Sequence, residues 1–203
     1  MRILSIALMI FVLSGCATSP RPAVTAVASD WRTVATEDDR KRLREWRGDF
    51  ARALQKARAA GHGAEIDAEG RLLMPDAALP GALPNGDYRC RIIKLGAQGA
   101  GMLPFVTYPA FPCRVRAEMG VQGFAKLSGS QRPVGLLFPN DQLRQVFLGT
   151  LVLGDENRAM QYGNDPERDL AGYLERIGDR RWRMILPYPR FESVIDVVEL
   201  VPA

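Results

Sequence analysis

The chain has 203 residues, 47% of them hydrophobic and 25% charged, with a formal net charge of +4. That is the composition of a globular protein with one core, and it excludes a collagen-like, low-complexity or disordered chain. The basic excess is too mild to argue for a nucleic-acid partner, and none is expected.

The N-terminus departs from this average. Met1-Arg2 forms a short basic start, and Ile3–Leu13 is apolar throughout except for Ser5. Such a run has the length of a signal-peptide core and falls short of the roughly 20 residues that span a bilayer. It ends in Leu13-Ser14-Gly15-Cys16, which resembles the bacterial lipobox. The resemblance implies that residues 1–15 are a lipoprotein signal peptide, that Cys16 carries diacylglycerol, and that its freed amine is then acylated, for instance with palmitate. Removing Arg2 with the leader takes the charge from +4 to +3. Three acyl chains, at about 0.8 kcal/mol per buried CH₂, hold a protein on a membrane almost permanently. Ala17 follows, not the aspartate that marks inner-membrane retention in the best-known sorting rule, so the expected place is the outer membrane, facing the periplasm. The plainer alternative is a secreted leader with an incidental cysteine.

Residues 16–30 hold the lipidated cysteine and an Ala-, Pro-, Ser- and Thr-rich tether, and residues 31–203 are read as one globular domain. An amphipathic helix is expected over 37–60. Thr36 is the N-cap, Glu37, Asp38 and Asp39 fill the first turn, and Leu43, Trp46, Phe50, Leu54 and Ala57 form one apolar stripe. Packing of that stripe on the domain is preferred to a helix lying on an anionic membrane. Residues 63–85, with prolines at 75, 80 and 84, read as an irregular covering strap with one short strand or turn. His62, the only histidine, lies between two glycines with no orienting partner expected nearby; alone it makes no metal site.

Residues 86–203 are strand-rich. Tyr88–Leu95, Phe105–Tyr108 and Phe111–Ala117 come first, and apolar residues alternate with Arg89, Arg91, Arg114 and Arg116. Cys90 and Cys113 both fall on the inward parity. With Cys16 taken by lipid they are the only pair left in an oxidising compartment, so a disulfide is expected. Phe124–Leu127, Val134–Phe138 and Gln145–Leu153 follow; the last is apolar on both faces and reads as a covered central strand. Gly135 and Gly149 suit coiling or close backbone approach. Asp155–Asp169 is the longest polar interruption, with one turn of helix expected at Pro166. Leu170–Ile177, Arg181–Leu186 and Val194–Val201 complete the series. A helix followed by a meander with short connections predicts a mainly β fold, closing into a small lipocalin-like barrel.

The segments GDYRCRIIKLG, KLSGSQRPVGLLFP, VFLGTLVLGDE, YGNDPERDLAG, ERIGDRRWRMILPYP and FESVIDVVELVP resemble an uncharacterised bacterial family, a domain of unknown function carried mainly by alphaproteobacterial lipoproteins. The resemblance covers Trp31 to Ala203 and brings no activity, substrate or catalytic residue.

Chemistry-bearing motifs are few. Asp155, Glu156, Asp165, Asp169 and Glu175 are the only candidates for a carboxylate pair, and most lie in a hydrophilic stretch where desolvation is expected to be weakest. SGSQRPVG does not match a nucleophile elbow, and Gly96–Gly101 lacks the helix and lysine of a phosphate loop. No cofactor or metal is expected. Arg132, Tyr162, Asp165, Arg168 and Asp169 are the candidate ligand or loop site: a gate over a barrel mouth, or a loop held by Arg–Asp hydrogen bonds. The leading expectation is a non-catalytic binding or scaffolding domain of the cell envelope, with an envelope protein as partner. Next comes a lipocalin-like carrier of a hydrophobic ligand, then a periplasmic hydrolase. If the lipobox reading holds, Cys16→Ser moves the protein from the membrane pellet to the soluble periplasmic fraction. A variant that still pellets, with wild type taking up no labelled fatty acid, would sink it.

Overall fold

The computed structural model describes residues 30–203, so the leader, Cys16 and all of the tether except Asp30 lie outside the described residues. The helices are α1 (Trp31–Val34), α2 (Glu37–Ala59) and α3 (Gly63–Ala68), followed by a 3₁₀ turn at Gly70–Leu73. The strands are β1 (Gly86–Ala97), β2 (Phe105–Thr107), β3 (Phe111–Glu118), β4 (Val121–Lys126), β5 (Gln131–Pro139), β6 (Arg144–Leu153), β7 (Asp169–Gly178), β8 (Arg181–Pro187) and β9 (Ser193–Pro202). Among the described residues no helix is long and apolar enough to cross a membrane.

From β3 to β9 each strand pairs antiparallel with the next, and β9 returns to β1 from Tyr88↔Pro202 to Ala97↔Ser193. Eight strands therefore close a barrel, which leaves no open edge among them. β2 is the extra strand. It pairs with the far half of β1 (Ile93–Leu95), while β3 pairs with the near half (Gly86–Cys90). The Tyr108 amide donates to the Ile92 carbonyl, so β2 and β3 run beside β1 as one interrupted strand. The expected mainly β meander is what the chain forms, and the run Val146–Val152 is buried on both faces as expected for a covered strand.

The coverage comes from the N-terminal third. Thr36 caps α2 by accepting from the Asp39 amide at 3.2 Å. Trp46, Phe50, Ala53 and Ala57 are buried against Ile93, Leu95, Ile185, Ile195 and Val197 on the barrel's outer face. Leu54 sits at the margin of this seam, where the stripe had placed it inside. The helix comes close because of Gly96, at φ +69°: a Cβ there would lie 2.9 Å from the Ala53 Cα. α1 and the start of α2 cover β4–β7 through Trp31, Ala35 and Leu43.

The strap is more regular than its sequence suggested. Six residues between Gly63 and Ala68 are helical, and the Leu72-Leu73 pair lies in the 3₁₀ turn. Ala64, Glu65 and Ala68 are good helix formers, and burial of Ile66, Leu72 and Leu73 against α2 fixes the short turns. Beyond Met74 the strap makes a turn at Pro75-Asp76 and bridges to β7 at Leu79↔Arg176. It crosses the barrel end and inserts Leu83 into the interior, tied by Tyr88 Oη donating to the Pro84 carbonyl at 2.7 Å.

Cys90 and Cys113 form a disulfide inside the barrel, with Cα atoms 5.9 Å apart and a sequence separation of 23. On the chain-entropy account a loop of that size stabilises the fold by about 3 kcal/mol. Trp46 is 2% exposed and packs on Tyr173 at 5.7 Å between ring centroids. Trp46→Ala should therefore lower unfolding free energy by about 3–5 kcal/mol through the cavity it leaves. Denaturant titration checks this, and an unchanged midpoint would mean that α2 does not pack as described.

Candidate functional site

The inward residues divide the barrel into a filled end and an open one. Towards the strap, Tyr88, Phe124, Leu137, Phe147, Leu174 and Trp182 pack together with Leu83 as a plug. Tyr88 meets Trp182 edge-on at 6.2 Å, and Phe124 meets Phe147 edge-on at 5.8 Å. The Phe147 ring lies across the register pair Gly135↔Gly149, where a Cβ would stand 2.8 Å and 2.6 Å from ring atoms. The close backbone approach expected of these glycines is made by the Leu148 carbonyl at Gly135 and the Val134 carbonyl at Gly149, with the Phe147 ring packed over both. A cavity of about 320 Å³ lies between the strap and the β5–β6 turn. Trp182 and Gln145 line it, and the indole N–H and amide oxygen have no protein partner, which suits bridging water.

At the opposite end the interior opens into a pocket of about 170 Å³. Its walls are Ile92, Pro133, Leu151, Leu170, Leu186 and Val198, and above them stands a polar ring of Lys94, Lys126, Gln131 and Asp196. Lys94 Nζ donates to Gln131 Oε1 at 3.1 Å and to Asp196 Oδ2 at 3.3 Å, and pairs with Glu192 at 3.2 Å. Burial works against the ammonium, but Asp196 and Glu192 outweigh it and raise the Lys94 pKa. The Ser193 hydroxyl donates to the second Asp196 oxygen.

Lys126, only 4% exposed, is held differently. Its Nζ donates to the carbonyls of Ser128 at 2.8 Å and Gln131 at 2.9 Å, and lies 3.8 Å from the centroid of Phe111. Among the described residues no carboxylate reaches ion-pair distance of it. Burial first, then the charges of Arg132 and Lys94, bring its pKa down to about 8.

The residues singled out from sequence sit elsewhere. Arg132 faces outward and donates to the carbonyls of Gly129, Gly154 and Glu156, joining two loops. Arg168 grips both Glu156 oxygens at 2.6 and 2.7 Å and approaches Asp165 at 3.4 Å. Asp165 accepts from the Glu167 amide, which closes a single turn at Pro166. Tyr162 donates to Asp39 and accepts from the Thr36 amide, and burial together with Asp39 holds its phenol well above the usual range. Asp169 accepts from the Gly163 amide through both oxygens.

None of these five lines the mouth pocket. Of the two readings of this loop, the gate is not formed: the loop is pinned to the start of α2, by Tyr162 and by Arg42, which pairs with Asp39 at 2.6 Å and donates to the Asp169 carbonyl. The lip is made by Ser130 in the β4–β5 turn, by Phe191 and Glu192 before β9, and by Tyr108. Asp169 also corrects the expectation of weak desolvation: it is 2% exposed, and burial raises its pKa. Glu175 is bound by Arg144 and Arg183. His62 does have a partner, Glu65 Oε1 at 3.1 Å from Nδ1, and it stacks on Phe105 away from the pocket. No group of three or more potential metal ligands occurs among the described residues.

Sequence reading missed Lys94, Lys126 and Asp196. The signal was present: each falls on inward parity in an apolar strand, two residues beyond Ile92, beyond Phe124 and before Val198.

Fold and site define a small closed antiparallel barrel, plugged by Leu83 and aromatic rings at one end, with a pocket of about 170 Å³ at the other. The chain belongs to the family described as Domain of unknown function (DUF4893), whose profile matches residues 31–200 and so spans helix, strap and barrel together. Comparison with curated proteins and with solved structures matched nothing.

Asp169 offers a test of the loop anchor. A carboxyl whose pKa is raised on folding favours the fold fully below its unfolded value of 3.8, and loses that contribution as pH rises through the folded value. Asp169→Asn keeps an acceptor for Gly163 without the charge. Its stability relative to wild type should rise from about pH 4 upwards and then level off. Denaturant midpoints between pH 4 and 7 check this, and a deficit that grows with pH would refute it.

Proposed function

We propose that this protein is a lipid-anchored lipoprotein of the bacterial envelope whose barrel is a non-catalytic binding module, admitting a small, largely apolar group into its open end. The observation that carries the reading is the pocket of about 170 Å³ with apolar walls and a polar ring. Cavities of roughly 150 Å³ take up benzene, whereas drug-sized ligands need about 300 Å³ or more. The pocket therefore suits a short ligand or the end of a longer one, and a whole lipid does not fit within the barrel. The apolar lip supports this: Tyr108 and Phe191 are partly exposed, as are Leu103 and Leu127 in adjoining loops.

Several features support binding over catalysis. The two thiols form a bridge, His62 stands outside the pocket, and Asp196 is held by Lys94 and Ser193. Lys126 alone has a nucleophile's pKa, and two of its N–H groups are committed to carbonyls. The leader and Cys16 support the anchor.

The mature chain carrying Cys16→Ser should show no turnover on ester, glycoside or peptide panels. Hexan-1-ol should shift the methyl resonances of Ile92, Leu151 and Leu186. Hydrolysis lost in Asp165→Asn or Asp169→Asn with folding intact would overturn the non-catalytic reading, and unshifted methyls would overturn the pocket.

A further inference from the structure

We propose that the ligand of the open end carries a negatively charged group, taken by Lys126, while its apolar body lies between Ile92, Leu151, Leu186 and Val198. The proposal rests on the binding reading above and supplies the chemistry that it leaves open.

The argument is one of charge partition. Four charged groups stand in or beside the ring: Lys94 on β1, Lys126 on β4, Asp196 on β9 and Glu192 in the turn before β9. They balance in number but not in place, because both carboxylates are engaged by Lys94. Lys126 keeps only neutral acceptors, the Ser128 and Gln131 carbonyls, with the Phe111 ring over it. An ammonium has three N–H donors, so one is left for a ligand. A buried charge without a counter-charge is costly, and a carboxylate or phosphate would supply both the missing charge and a strong acceptor where water is scarce. Lys94 is already neutralised, so Lys126 is the discriminating group. The walls two residues deeper are apolar, which orients the ligand with its charged head at the ring and its body inward.

Titration follows from the same geometry. The groups facing Lys126 are Lys94, Asp196, Glu192 and Tyr108, with Arg132 adjacent on β5. Lys94 and Arg132 help to depress its pKa to about 8, and a bound anion opposes them. Binding of an anion near that pH therefore takes up a proton, and affinity falls as pH rises beyond it.

The test uses the mature chain carrying Cys16→Ser, so that no acyl chain competes. Titration calorimetry compares hexanoate, hexyl phosphate and hexan-1-ol between pH 6.5 and 10. At pH 7 at least one of the two anions should bind about tenfold or more tighter than the alcohol. That preference should decline above about pH 8, with proton uptake seen as a buffer-dependent heat. Lys126→Met should abolish the preference and its pH dependence. The stronger of the two anions identifies the head group. Equal affinity for hexanoate, hexyl phosphate and hexan-1-ol, independent of pH, would overturn the proposal and leave the binding reading standing. No binding of any of the three would overturn both. If Lys126→Met fails to fold, the wild-type comparison of acid with alcohol and its pH profile decide alone.

Discussion

The architecture turns on one buried carboxylate. Glu175 on β7 is 1% exposed, and strand register sets Arg144 of β6 on one side of it and Arg183 of β8 on the other. Arg144 Nε donates to one oxygen at 2.7 Å and Arg183 Nε to the other at 2.8 Å. Arg183 then spends its remaining donors on Glu175 again and on the carbonyls of Arg71, Leu72 and Pro75. Its five N–H groups are thereby all used. The two guanidinium groups are roofed by aromatic rings of α2, Arg183 by Phe50 at 5.4 Å and Arg144 by Trp46 at 5.2 Å. Sheet, strap and helix therefore meet at one charge cluster. Such a cluster is weak evidence of added stability, since desolvation can cancel its Coulombic gain. What it sets is register: any slip of the strap leaves three N–H groups of a buried guanidinium without acceptors, a loss of several kcal/mol.

Fixing the strap has a consequence at the barrel's end. Leu83 can plug the interior only if the chain leaves the 3₁₀ turn along one course, and Arg183 holds that course at Leu72 and Pro75. Gln122 Nε2 then takes the Leu83 carbonyl at 2.9 Å and Arg176 the Pro80 carbonyl at 3.2 Å. With the plug and the aromatic rings at that end, the interior beside Ile92, Leu151 and Val198 at the opposite end stays open. There the long loop after β6 is drawn outward onto α2 by Asp39 and Tyr162. The open pocket thus follows from two anchoring clusters, neither of which touches it.

How much of this could be read from the chain depends on which residues carried it. The nine strands were legible because apolar alternation and turn residues at Gly129-Ser130, Pro139-Asn140-Asp141 and Gly178-Asp179 are local signals. The helix was legible from Thr36 and its stripe, and the disulfide from the shared parity of Cys90 and Cys113. The strap's short helix was not, since six residues between glycines give too little periodicity to distinguish it from a loop. The site was the least legible part. Attention went to the polar loop because polarity there is conspicuous, yet its arginines and acids satisfy one another. Lys94, Lys126 and Asp196 are single charges on the inward parity of three apolar runs, and no local signal shows that β1, β4 and β9 bring them to one mouth. Only closure of the sheet, a long-range property, brings them there.

The disulfide ties these levels together. β1 changes partner between Cys90, the last residue paired with β3, and Ile93, the first paired with β2. At such a break the ladder is weakest, and here it lies directly beside the mouth. Cys113 is also the register partner of Lys126 on β4. The bridge therefore clamps β1 to β3 at the last rungs before the break, and the strand it clamps carries Phe111, whose ring lies over the Lys126 ammonium. Freeing the seam would let the lip spread and water reach that ammonium, which would relax its depressed pKa. Burial of that cation lasts only while the wall around it is held, and the Cys90–Cys113 bridge is placed where that wall would otherwise part.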